Sequence, residues 1–63
     1  MLNTKITYAL ADWIREWIRL RNETPSIEDC INFVNWKLGD TTLNENDKIQ
    51  IEAILLYETS TIN

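Results

Sequence analysis

Residues 6–20, Ile-Thr-Tyr-Ala-Leu-Ala-Asp-Trp-Ile-Arg-Glu-Trp-Ile-Arg-Leu, carry the pattern that most constrains the fold. Ile6, Leu10, Trp13, Trp17 and Leu20 recur at alternating steps of four and three, which places them on one face of a helix. Ala9 and Ile14 flank that stripe, and Ile18 and Ala11 extend it on one side. At about 100° per residue the apolar arc covers roughly 200°. A helix lying on a surface needs an arc nearer 100°, so this one is expected to pack against more than one neighbour. Met1 to Asn3 are expected to fray, with Thr4 or Asn3 as the N-cap. Pro25 disfavours helical geometry at Thr24, so the first helix should stop near Asn22.

A second helix is announced by Thr24-Pro25-Ser26-Ile27-Glu28-Asp29. Thr24 as N-cap would place Pro25 at the first helical position, where its missing N–H costs nothing. Ser26 with Asp29 is the competing capping arrangement. Either start puts Glu28 and Asp29 in the first turn, where the helix dipole favours anions. The core stripe is Ile27, Cys30, Ile31, Val34 and Leu38, with Phe33 at its edge. Trp36 lies nearly opposite, on the side of Asp29 and Asn32. Gly39 sits where a left-handed residue ends a helix.

After a turn at Asp40-Thr41-Thr42, the third segment starts either at a Thr42–Glu45 capping box or at Asn44 with Asp47. Ile51, Ile54 and Leu55 lie on one side of it, and Ile49, Ala53, Leu56 and Tyr57 on the other. A helix apolar on both sides is expected to be buried on both. Ile49 to Ala53 also alternate as a strand would, but a single strand has no partner in so short a chain. Ser60 to Asn63 are expected to be loose. The expected fold is all-α, a small three-helix bundle in one domain, with helices at about 4–22, 25–38 and 43–58.

Composition removes several function classes. Sixty-three residues bury only about 60% of their unfolded surface, so helix packing or association must supply stability. There is no histidine and one cysteine, which leaves no disulfide, no zinc site and no imidazole base. One glycine leaves no phosphate-cradling loop. Glu28 with Asp29, or Asp40 near Glu45 and Asp47, read as capping residues before catalytic carboxylates. Residues 44–47 lack the spacing of a calcium loop. Cys30 reads as a small buried hydrophobe before a redox thiol. The chain is therefore expected not to be an enzyme, and to hold no metal or cofactor.

The net charge is −4, split into +2 over residues 1–22 and −6 over residues 23–63. The plain reading is a solvated acidic surface, repelled by nucleic acid and attracted by basic partners. No apolar run has the length of a membrane span and no secretory signal opens the chain, so no membrane is expected. The unpaired cysteine fits a reducing interior, and the cytoplasm is the expected location.

The remaining class is protein–protein recognition, and the motive is an excess of apolar side chains. A compact bundle absorbs part of the doubled faces; the remainder would form an exposed patch of the kind that marks an interface. Aromatics are the usual anchors. The candidate partner-binding residues are Phe33 with Trp36, the Ile14–Ile18 edge of the first helix, and Asp29 on the side of Trp36. A homodimer is the simplest cover. The expected function is a small protein-binding regulator or inhibitor acting through an apolar, aromatic and acidic surface. The abundance of Ile, Asn and Thr associates such chains with AT-rich phage or mobile-element genomes. A helix–turn–helix DNA-binding regulator is the alternative, disfavoured by a net-acidic start of the third helix at Asn44, Glu45, Asn46, Asp47 and Lys48.

Overall fold

The computed structural model describes residues 2–39 and 42–60. It is an all-α three-helix bundle: α1 spans Thr4–Arg21, α2 Ile27–Leu38 and α3 Glu45–Ser60. Each helix packs on both others. No strand occurs among the described residues, so Ile49 to Ala53 are helical. Met1, the Asp40 and Thr41 of the expected turn, and Thr61 to Asn63 lie outside the described residues.

The helix ends are set by local hydrogen bonds. Asn3 caps α1, its side-chain oxygen accepting from the Ile6 N–H at 2.8 Å. Leu2 is buried in the core and Asn3 caps the helix, so these two residues do not fray; Met1 lies outside the described residues. Asn22 closes α1 in the left-handed conformation at φ 55°, its N–H donating to the Ile18 carbonyl at 2.8 Å. For α2 the Ser26–Asp29 box prevails. The Asp29 N–H donates to Ser26 Oγ at 3.0 Å and the Ser26 N–H to Asp29 Oδ2 at 3.2 Å. α2 therefore begins at Ile27, two residues later than the Thr24–Pro25 start predicts. Gly39 ends it at φ 76°. At α3 the Asn44–Asp47 start wins over Thr42–Glu45. The Asp47 N–H donates to Asn44 Oδ1 at 2.8 Å, and the Asn44 N–H to Asp47 Oδ2 at 3.2 Å. α3 starts at Glu45, two residues later than expected, and continues to Ser60.

The core is built from Leu2, Ile6, Leu10, Ile14, Cys30, Val34, Leu43 and Ile51. On α1 the buried line is Ile6, Leu10 and Ile14, at steps of four, with Ile18 packed against its end. The expected line through Trp13, Trp17 and Leu20 is thus rotated. Ile14 is fully buried and cannot belong to an exposed edge, and Leu20 in the last turn is exposed. Compact aliphatic side chains occupy the axis where three helices meet, and the bulkier indoles fall to its flank.

α3 departs further from expectation. Ile51 is buried, and Ile54 and Leu55 pack on the core, but Ile49, Ala53, Leu56 and Tyr57 are exposed. Three short helices supply no fourth element to cover that side.

An ion pair joins α1 to α3. Glu58, buried near the end of α3, accepts from Arg15 Nη1 through both carboxylate oxygens at 3.0 Å. Arg15 also pairs with Asp12, and Arg19 with Glu16, on the solvent side of α1. The Asp12 carboxylate, then that of Glu58, raise the Arg15 pKa above its ordinary value; Glu16 does the same for Arg19.

Candidate functional site: an aromatic ledge and an apolar groove

Two surface features lie on different sides of the bundle. The first is a run of four rings across the α1–α2 seam. Trp13 stacks on Phe33 with centroids 4.8 Å apart and planes 17° from parallel. Trp17 extends the run on α1, 5.2 Å from Trp13 and tilted by 56°. Trp36 extends it on α2, 6.2 Å from Phe33 and tilted by 48°. Offset-stacked and tilted pairs at these separations are the favourable arrangements of ring quadrupoles. The ledge therefore helps to hold α1 against α2 while leaving ring surface in water. Trp13, Trp17 and Phe33 are half-buried, and Trp36 is 71% exposed.

A cation stands at each end of the ledge. The Arg21 guanidinium carbon lies 4.0 Å from the Trp17 ring centroid, and Lys37 Nζ lies 5.0 Å from Trp36 and 5.9 Å from Phe33. Both follow from helical spacing, since Trp17–Arg21 and Phe33–Lys37 are four residues apart. These contacts orient the charges over the rings. The ledge is thus a locally basic aromatic surface on a chain of net charge −4.

Of the sequence-predicted partner residues, Phe33 and Trp36 come together on this ledge. Ile14 is at the centre of the core, and Ile18 is packed partly against it, so neither contributes an open edge. Asp29 is half-buried and spends a carboxylate oxygen on the α2 cap. Trp13 and Trp17 complete the ledge; periodicity alone assigned them to the core. Their spacing to Phe33 crosses between helices, where sequence carries no signal.

The second feature is a groove of about 290 Å³ between α1 and α3. Thr7, Tyr8 and Ala11 line it from α1, and Ala53, Ile54, Tyr57 and Glu58 from α3. Tyr8, on the polar arc of α1, gave no hint of this.

The first turn of α3 is the start of the helix that the DNA-binding alternative uses for reading. Asn44 and Asp47 are committed to the α3 cap, and Asp47 is buried. Asn44, Glu45, Asn46 and Lys48 are exposed there. Cys30 is fully buried, and burial, then Asp29, push its thiol up to about 11. Such a thiol is almost wholly protonated near neutrality and is a poor nucleophile. No group of His, Cys, Asp and Glu with metal-binding geometry occurs among the described residues. No helix among them is long and apolar enough to cross a membrane. No family model, curated protein or solved structure matches the chain.

Proposed function

We propose that this chain is a small, non-enzymatic protein-binding regulator or inhibitor that engages its partner through the α1–α2 aromatic ledge. The observation that supports this reading most is Trp36. A tryptophan 71% in water, at the end of a four-ring run, is costly to hydrate and ready to bury. Phe33 and Trp36 act as anchors, Trp13 and Trp17 as the floor. Arg21 and Lys37 at the two ends favour a partner segment that brings carboxylates beside its apolar anchor. A reducing, cytoplasmic setting belongs to the same reading, supported by the single free cysteine.

The test is capture from the native host with the wild-type chain, Trp36→Ala and Lys37→Glu side by side. A partner held by wild type should be lost with Trp36→Ala and weakened with Lys37→Glu, more so at low salt. If Trp36→Ala retains the same proteins in the same amounts, the ledge is not the binding surface. Binding of random single-stranded nucleic acid at low salt, abolished by the same two variants, would replace the protein partner with a nucleic-acid one.

A further inference from the structure

We infer that the outer face of α3, with the adjoining wall of α1, is a self-association surface on which two copies of this chain pair as a two-fold antiparallel dimer. This inference uses a face separate from the ledge and does not depend on the ledge's role. At about 100° per residue, Asn46, Ile49, Ala53, Leu56, Tyr57 and Ser60 fall within one arc of about 100°, opposite the buried Ile51. That stripe runs the length of α3 without a charged residue, in a chain whose residues are 25% charged. Glu45, Lys48 and Glu52 lie along one margin, so covering the stripe desolvates no charge at its centre. On the other margin the groove carries the apolar surface across to Tyr8 and Ala11.

Two observations favour a second copy as the occupant. The first is shape. Ala53 is a small residue at the middle of the stripe, with Ile49 one turn before it and Leu56 and Tyr57 one turn after. An antiparallel two-fold places Ala53 against Ala53 at the closest approach. It sets each Ile49 beside the other copy's Leu56 and Tyr57, the self-matching that an isologous contact requires. The second is area. Tyr8, Ile49, Leu56 and Tyr57 are 70%, 58%, 61% and 68% exposed. Together they present on the order of 500 Å² per copy, taking about 150–250 Å² for a whole aromatic side chain. Covered completely on both copies, these residues bury up to about 1,000 Å², where specific but transient interfaces begin. A contact of this size is at the weak, reversible end of specific association. Each copy carries net charge −4, so screening of their mutual repulsion tightens the dimer as salt rises. Salt acts in the opposite direction on a carboxylate-bearing partner at the ledge.

Sedimentation equilibrium of the full chain, from about 1 µM to about 1 mM at low and high salt, tests this. The expected result is a mass that rises from 7.5 kDa and levels at twice that value, with tighter association in high salt. Ala53→Lys should weaken the dimer by about a hundredfold while leaving the helical circular dichroism unchanged, because Ala53 is exposed. The substitution lowers the net negative charge, so a loss of association cannot come from general repulsion. Leu56→Glu is an independent second variant, and Trp36→Ala should leave the dimer intact. A strict monomer at 1 mM, a dimer that survives both Ala53→Lys and Leu56→Glu, loss with Trp36→Ala, or growth beyond two copies would each overturn the inference.

Discussion

Removing the Trp36 ring tests whether the ledge is surface or core. Trp36 is 71% exposed, so it buries a little under a third of its area. For a side chain of up to about 250 Å² that is roughly 70 Å², or about 1.8 kcal/mol at about 25 cal/mol per Å². Alanine is the better helix former by about 0.5 kcal/mol, which offsets part of the loss. No cavity opens, because the ring stands on the surface. Trp36→Ala should therefore cost about 1.5 kcal/mol or less, against about 3–5 kcal/mol for a buried tryptophan. Urea unfolding followed by far-UV circular dichroism measures this. It is done at low micromolar concentration, so that self-association does not contribute to apparent stability. Ile14→Ala, at the fully buried centre of α1, is the contrast and should cost about 2–5 kcal/mol. A Trp36→Ala cost above about 3 kcal/mol would show that the ring supports the core, and the ledge would lose its exposed anchor.

Three further predictions concern the scaffold. The Cys30 thiol rises from 9.0 to about 11 in the folded chain, so the folded state holds its proton longer than the unfolded state. Its contribution is present below pH 9.0 and is lost as pH rises toward 11. Between pH 8 and 10 the wild type should lose about 1 kcal/mol more than Cys30→Ala, measured as the difference between their urea unfolding free energies. Asn44→Ala removes the acceptor for the Asp47 N–H and should cost about 1 kcal/mol, with faster amide exchange confined to the first turn of α3. Gly39→Ala meets no atom within 4 Å but must hold φ near 76°, so it should cost about 1–2 kcal/mol through backbone strain alone. Gly39→Asn should cost less, because asparagine tolerates that conformation.

The number, order and approximate bounds of the helices were legible because each is written locally. Stripes at steps of three and four, a proline before α2 and a glycine after it need no knowledge of tertiary contacts. At α2 the reciprocal Ser26–Asp29 pair formed over the Thr24–Pro25 start; at α3 both candidates were reciprocal boxes, and Asn44 with Asp47 formed over Thr42 with Glu45. The rotation of α1 was not legible. An apolar arc of roughly 200° admits either the Trp13–Trp17 line or the Ile14 line as its centre. Side-chain volume decides between them, and only the helix positions reveal how much volume the axis accepts. Trp36 could be placed off the α2 stripe from periodicity alone, but its meeting with Trp13 through Phe33 depends on how α1 and α2 face each other.

The exposed side of α3 has a physical cause that also bears on function. Isolated apolar residues are ordinary on a protein surface and call for no explanation. Here Ile49, Leu56 and Tyr57 share one helix face, and Tyr8 stands across a common groove from Tyr57. Ile49 and Leu56 are 58% and 61% exposed and lie outside the buried core, so polar residues there would leave its fully buried members in place. The fold therefore does not account for these side chains, whereas Ile51 and Ile14 are accounted for by the bundle alone. The same reasoning applied to Trp36 separates a ring that stabilises its own helix pair only at the edge from Trp13, which is stacked into the seam. What remains after the core is subtracted is two apolar surfaces with different charge surroundings. A cation stands at each end of the ledge and an uncharged stripe fills the outer face of α3, so opposite responses to salt separate the two contacts in one experiment.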